Sequence, residues 1–307
     1  YTGERDMLVL EGAYHGNLSS LVEISPYKFD GKGGAGAPSW VHKLAMPCTY
    51  RGVFRDAENP VERYALQAQE VINSANGIAA FISESIIGTG GQVVFPAGYL
   101  AAIYARTRAA GGVCIADEVQ HGFGRFGTLF WGFESHGVVP DIVTMGKPMG
   151  NGHPLAAVVT TPEIAAAFNN GMEYFNTFGG NPVSSAVGLA VLDVIEQEGL
   201  QKNALHVGRF LKEGLLELRE RYPLIGDVRG EGLFLGIELV TDRTTLEPAT
   251  AETHRLVEAM RMHQILLSVD GPLHNIVKIK PPMVFTKDDA ARLVREMDIV
   301  LSRMSAE

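Results

Sequence analysis

With 307 residues, 46% of them hydrophobic and 20% charged, the chain has the balance of a soluble globular protein and the length for two domains or one large one. A formal net charge of −9 argues against a general nucleic-acid binder, which needs surplus Lys and Arg to meet phosphates, and no apolar stretch is long enough to span a membrane. Cys48 and Cys114 are the only cysteines; Cys114 lies in an apolar run, which predicts a buried thiol and a reducing, cytoplasmic setting.

Along the chain, Asp6–Leu10 reads as a short buried strand, and the glycine-rich Asp30–Trp40 (DGKGGAGAPSW) as a surface loop. Pro60–Ala75 and Pro96–Ala110 have helical patterns, with strand-like runs at Ile78–Ile82, Gly112–Ala116 and Asp141–Met145. This βαβα alternation predicts an α/β protein whose mainly parallel sheet is covered by helices on both faces. Two further helical patterns follow, Val183–Glu198 and Gln201–Arg221. After them, Val228–Val240 (VRGEGLFLGIELV) alternates as a strand with one exposed face and glycines at its bends. Ala251–His263 and Lys287–Met304 look helical, and Lys278–Phe285 (KIKPPMVF) reads as a strand stopped by two prolines. The expected division is a large domain over residues 1–204 and a smaller α+β domain over 205–307.

Two residues carry the chemistry. Lys147, in VTMGKPMGNGHP, presents a primary amine between an apolar run and a glycine-rich turn. Asp117, in CIADEVQHGFGR, closes the run Gly112–Ala116, so a buried strand would deliver it to the rim of the sheet. An amine and a carboxylate on a rigid α/β frame are what pyridoxal 5'-phosphate (PLP) requires: the amine forms a Schiff base with its aldehyde, and the acid keeps its ring nitrogen protonated. Taken singly, the lysine would be a surface residue and the aspartate a turn cap. Their pairing decides for the cofactor. The histidines His121, His136, His153 and His274 have no metal-site spacing. HGFGRFG follows the acid and opens no helix, which sets aside a dinucleotide loop and with it a dehydrogenase.

With these residues placed, the chain resembles the class III PLP-dependent aminotransferase family, of fold type I, and further motifs follow in that family's order. In AYHG, Tyr14 would stack on the pyridine ring, with core packing as the plainer reading. In DEVQ, Val119 would pack on the opposite ring face and Gln120 would reach the phenolic oxygen. In FNTFGGNP, Thr177 would cross to a neighbour's cofactor phosphate, which implies a homodimer with shared sites; Asn181 is the better N-cap for the helix that opens at Pro182. His15 is expected beside the cofactor as a hydrogen-bonded structural histidine.

SSLVEISPYKF, PDIVTMGKPMGNGHP, DGPLHN and KIKPPM look more like the phospho-lyase branch, which acts on small amino phosphates, than like ordinary transaminases. Ser85 stands where many relatives have proline after the glutamate Glu84. Lys278 stands where many have an arginine that in some pairs with that glutamate to gate a substrate carboxylate. The resemblance thus implies elimination of phosphate from a substrate such as O-phosphoethanolamine. Glu84 and Lys278 are as readily a structural ion pair as substrate contacts, and Arg125, Tyr50 and Arg51 are candidate contacts for the substrate phosphate. Relatives carry a further stretch upstream with a phosphate-cradling loop, so the chain is expected to be N-terminally incomplete. Spacing alone does not separate a lyase from a class III ω-aminotransferase, and a non-catalytic protein on the same fold is a third reading.

Overall fold

Residues 1–306 are described by a computed structural model. The first half runs β1 (Asp6–Leu10), α1 (Ser19–Glu23), α2 (Pro26–Phe29), β2 (Val41–Leu44), α3 (Pro60–Ser74), β3 (Ile78–Glu84), α4 (Tyr99–Ala109), β4 (Val113–Asp117), β5 (Ile142–Met145) and β6 (Ala157–Thr160). These strands form one sheet in the order β2-β1-β3-β4-β5-β6. All neighbours are parallel except the β5–β6 pair. Leu8, Val9 and Leu10 are fully buried, as expected of a parallel strand covered on both faces. The helix α3 opens on Pro60, whose missing N–H costs nothing at a first turn, and buries Tyr64, Ala65, Ala68 and Ile72 along one stripe. Edge strands β2 and β6 went unread in the sequence because each is four residues long and half exposed.

Helices α5 (Pro162–Phe168), α6 (Pro182–Gln197) and α7 (Leu200–Arg221) lead to a second layer. It contains β7 (Ile225–Glu231), β8 (Phe234–Asp242), β9 (Glu247–Pro248), α8 (Thr250–Met262), β10 (Ser268–Asp270), β11 (Ile276–Ile279) and α9 (Lys287–Ala306). The strands pair antiparallel in the order β10-β11-β8-β7, with β9 beside β8. Leu211 and Leu215 of α7, Leu256 of α8 and Met297 of α9 close one core with Leu235, Ile237 and Leu239 of β8. The expected boundary at residue 204 falls inside α7, where Ala204 already belongs to this core. The surface loop at 30–40 is exposed over most of its length.

One expectation is corrected. Val228–Val240 is not a single strand with a wet face but two strands joined by a tight turn at Gly232 (φ 53°). On β8 every residue from Phe234 to Val240 is buried. The charges on these strands pair with each other: Arg229 Nη1 meets Asp227 at 2.9 Å and Glu238 at 2.8 Å. That face is covered by the first half of the chain, with Arg51 Nε on Glu238 at 2.5 Å and Arg229 Nε donating to the carbonyl of Gly91 at 2.8 Å.

Candidate active site

The carboxyl ends of parallel strands leave a crevice where an α/β sheet takes its ligands. Here the register aligns Glu84 at the end of β3 with Asp117 at the end of β4, and Asp117 with Thr144 on β5. Lys147 follows three residues later. Tyr14 and His15 come from the turn that leaves β1. The residues found far apart in sequence therefore meet at one sheet edge.

Asp117 is 5% exposed. His15 Nδ1 lies 2.8 Å from its Oδ2, and the Val119 amide donates to Oδ1 at 3.1 Å. Burial opposes ionisation, but the His15 hydrogen bond and charge, then the Val119 amide, hold the carboxyl below its ordinary range. An ionised Asp117 only accepts, so Nδ1 of His15 carries the proton. The histidine is held in turn, since its amide donates to Ser25 Oγ at 2.9 Å and that hydroxyl donates to the Leu21 carbonyl at 2.6 Å. His15 is thus the structural partner the sequence suggested, and its Nε2 is buried without a partner.

Glu84 is 1% exposed and differs sharply. Its Oε2 accepts the Gly88 amide at 3.1 Å, Oε1 makes no full hydrogen bond among the described residues, and the Gly88 and Tyr14 amides both work to lower its pKa. Burial and then the Asp117 charge push its pKa up to about 8, so it is protonated at neutral pH. A Cβ at Gly88 would stand 2.9 Å from Glu84 Oε2 and 2.8 Å from Gln120 Nε2, so no other residue fits that position without displacing them. His121 sits 3.8 Å from Glu84 and is driven down to about 3 by burial, which makes it neutral. Glu118, passed over in the sequence, is fully buried as a clamp: its oxygens accept from Ser85 Oγ (2.6 Å), Gly132 N (2.8 Å) and Phe133 N (3.0 Å).

Lys147 begins the 3-10 turn Lys147–Met149 after β5, with φ of 29°. That left-handed conformation strains a side-chain-bearing residue, the more so one before proline, and such strain concentrates at functional positions. The side chain is exposed and enters no ion pair among the described residues, and its ammonium acts electrostatically on Glu84, His121 and Lys280. Val119 lies beside Gly146, whose absent Cβ would be 3.6 Å from its Cγ1. Gln120 accepts from Lys280 Nζ at 2.5 Å. Asp117, Val119, Gln120, Glu84 and Lys147 are therefore brought together with the expected His15, and His121 and Lys280 are added by the structure.

The other expected residues make contacts of their own. Tyr14 is half-buried; its ring meets Tyr27 edge-on at 6.0 Å and carries the Lys28 ammonium 5.6 Å from its centroid. Lys278 pairs with Asp270 at 3.0 Å and not with Glu84. Arg125 donates to the carbonyls of Leu233 (3.1 Å) and Pro281 (2.7 Å). Arg51 is engaged with Glu238 and faces a separate cavity of about 660 Å³ that Lys147 and Asp117 do not line. The Tyr50 hydroxyl is buried without a partner, and burial followed by the Glu238 charge raises its pKa. Thr177 lies exposed in a stretch with Met172, Tyr174, Phe175 and Phe178, each more than 70% exposed. Asn181 caps α6 as expected, accepting the Ser184 amide at 2.9 Å.

These residues fit the pyridine and aldehyde ends of PLP. A buried carboxylate is kept ionised by its own donors, a strained lysine with no ion pair among the described residues opens the turn after the neighbouring strand, and Val119, two residues past the carboxylate, lies against the glycine before that lysine.

The model of the family described as "Aminotransferase class-III" matches residues 1–301. A Drosophila melanogaster protein named alanine–glyoxylate aminotransferase 2-like is 50% identical over 94% of this chain and 61% of its own length. A Caenorhabditis elegans protein named ethanolamine-phosphate phospho-lyase homolog 1 is 40% identical over 99% of this chain and 69% of its own. A solved phospholyase from Arthrobacter, in complex with phosphoethanolamine, superposes with a TM-score of 0.91 at 38% identity, covering 98% of this chain and 72% of that one. The chain spans less than two-thirds of the length of the Drosophila relative.

Proposed function

This chain belongs to the class-III aminotransferase family, and on that premise we propose that it is a PLP-dependent phospho-lyase, releasing phosphate from O-phosphoethanolamine to leave acetaldehyde and ammonia. Its fold is the type I arrangement of PLP-dependent transaminases. The observation that carries the lyase reading is the pairing of Lys278 with Asp270. Held by Asp270, Lys278 is not paired with Glu84 to gate a substrate carboxylate, and an amino phosphate without an α-carboxylate needs no such gate. The likeness to a phospholyase solved with phosphoethanolamine points the same way.

When bound, PLP supplies an electron sink conjugated to the substrate nitrogen. Asp117 holds the proton on the pyridine nitrogen, because an anion fixed by His15 and Val119 favours the cationic ring. Lys147, once free, takes a proton from the carbon bearing the substrate nitrogen as general base. The neighbouring carbon–oxygen bond then breaks, and its electron pair leaves with phosphate. The two-carbon enamine takes up water and falls to acetaldehyde and ammonia. The protein acts as a homodimer in this reading: Thr177 serves the partner's cofactor, and the apolar side chains around it are covered by that partner.

Incubation with phosphoethanolamine and no keto acid tests the proposal. Phosphate and acetaldehyde should appear in equal amounts, and Lys147→Ala should abolish both. Inertness until a keto acid is added would establish the aminotransferase reading, which the relative named an alanine–glyoxylate aminotransferase 2-like protein favours.

A further inference from the structure

Beside Lys147 lies a group of cations that the mechanism above does not use. Side chains alternate along β11, so Val277 and Ile279 enter the second core while Lys278, and Lys280 just past the strand end, share the other face. Lys280 reaches across to the segment after Asp117, donating to Gln120 Oε1 at 2.5 Å, and its Nζ is 5.5 Å from the centroid of Phe234. Arg125 is fastened next to it through the carbonyl of Pro281 at 2.7 Å.

The charges in this group are unbalanced. Lys278 has Asp270, but among the described residues Lys147, Lys280 and Arg125 enter no ion pair. Burial, then the like charges of Arg125, Lys278 and Lys147, bring the Lys280 pKa down to about 8. Burial alone brings Arg125 down to about 10. Cations crowded with only Asp270 to offset them destabilise one another, and a bound dianion would relieve that repulsion. Phosphate carries two charges and takes several donors, which suits a lysine and an arginine together better than a single carboxylate does.

We propose that Lys280, backed by Arg125, is the subsite that holds the phosphoryl group of the substrate beside Lys147. The proposal deepens the phospho-lyase reading and rests on it for the identity of the ligand. Lys280 is a specificity residue here: it touches the part of the substrate that leaves and not the carbon that loses a proton.

Binding to the PLP-loaded protein tests the subsite without requiring turnover. Inorganic phosphate is titrated by calorimetry, and propylamine, which lacks the anion, by the absorbance of the bound cofactor. Lys280→Met should weaken phosphate binding about 10- to 100-fold, the effect of losing a charge-assisted hydrogen bond, and propylamine binding no more than about threefold. Lys280→Arg should restore most of the phosphate affinity, and Lys280→Gln serves in place of the methionine variant should that one fail to fold. Unchanged phosphate affinity, equal weakening of both ligands, or loss of bound PLP would overturn the assignment. The two proposals fail separately. Phosphate bound through Lys280 without release from phosphoethanolamine sinks the lyase and keeps the anion site, whereas release that survives Lys280→Met sinks the site and keeps the lyase.

Discussion

The ends of β3 and β4 carry carboxyl groups side by side in one register, Glu84 and Asp117, both almost completely buried. Equal burial would give them equal reluctance to ionise. Asp117 nevertheless stays below its ordinary range, because His15 and the Val119 amide donate to it. At Glu84 the amides of Gly88 and Tyr14 favour the anion too weakly to offset burial and the neighbouring Asp117 charge, which disfavours a second anion. Two acids whose pKa values are pushed apart can take different roles, one as a fixed anion and one as a neutral donor. What separates them is the set of donors, not depth.

The strongest way to break the comparison is Asp117→Asn, which keeps the shape and removes the anion. Turnover on the substrate identified by phosphate release should fall by about 10²- to 10³-fold, as for loss of one preorganised electrostatic group. Glu84, freed of that charge, should titrate lower, visible as loss of its protonated carboxyl infrared band at a lower pH. Near-normal rates would remove Asp117 from the role given to it. A smaller effect is expected from His15→Phe, which leaves Asp117 with the Val119 amide alone. Its carboxyl should then ionise less readily, and the acidic limb of the kcat/KM profile should move to higher pH. A limb that stays in place would mean that the backbone donor suffices.

Asp117 and Lys147 were legible because each leaves a local mark: an acid ending an apolar run, and a lysine between glycine and proline at the next strand end. The bond between His15 and Asp117 leaves none. It joins residues 102 apart and depends on β1 lying next to β3 and β3 next to β4. Lys280 is intermediate. The alternation in KIKPP puts it on the face of Lys278, but what that face meets is set by packing between the two sheets, through contacts such as Arg125 with Pro281. The same packing hid the burial of β8, where Arg229 and Glu238 look like solvent-facing residues until they are seen to neutralise each other. Sequence patterns report local periodicity, and these features arise between elements.

Glu84→Gln is expected to have the least effect on rate, less than about threefold at pH 7, because an amide replaces an acid already uncharged there. Its signature lies in stability. The folded pKa of about 8 stands above the reference value of 4.5, so between those values the folded state holds a proton that the unfolded state has lost. Wild-type stability should therefore fall as pH rises through that window, and the fall should level off above about pH 8. Glutamine has no proton to lose. The Tm difference, variant minus wild type, should be near zero at pH 5 and widen steadily toward pH 8, reaching on the order of a few kcal/mol when converted to free energy. A flat difference across that range would mean that Glu84 is ionised in the folded protein, and the contrast between the two strand ends would then need a stronger donor to Glu84 than the Gly88 and Tyr14 amides supply.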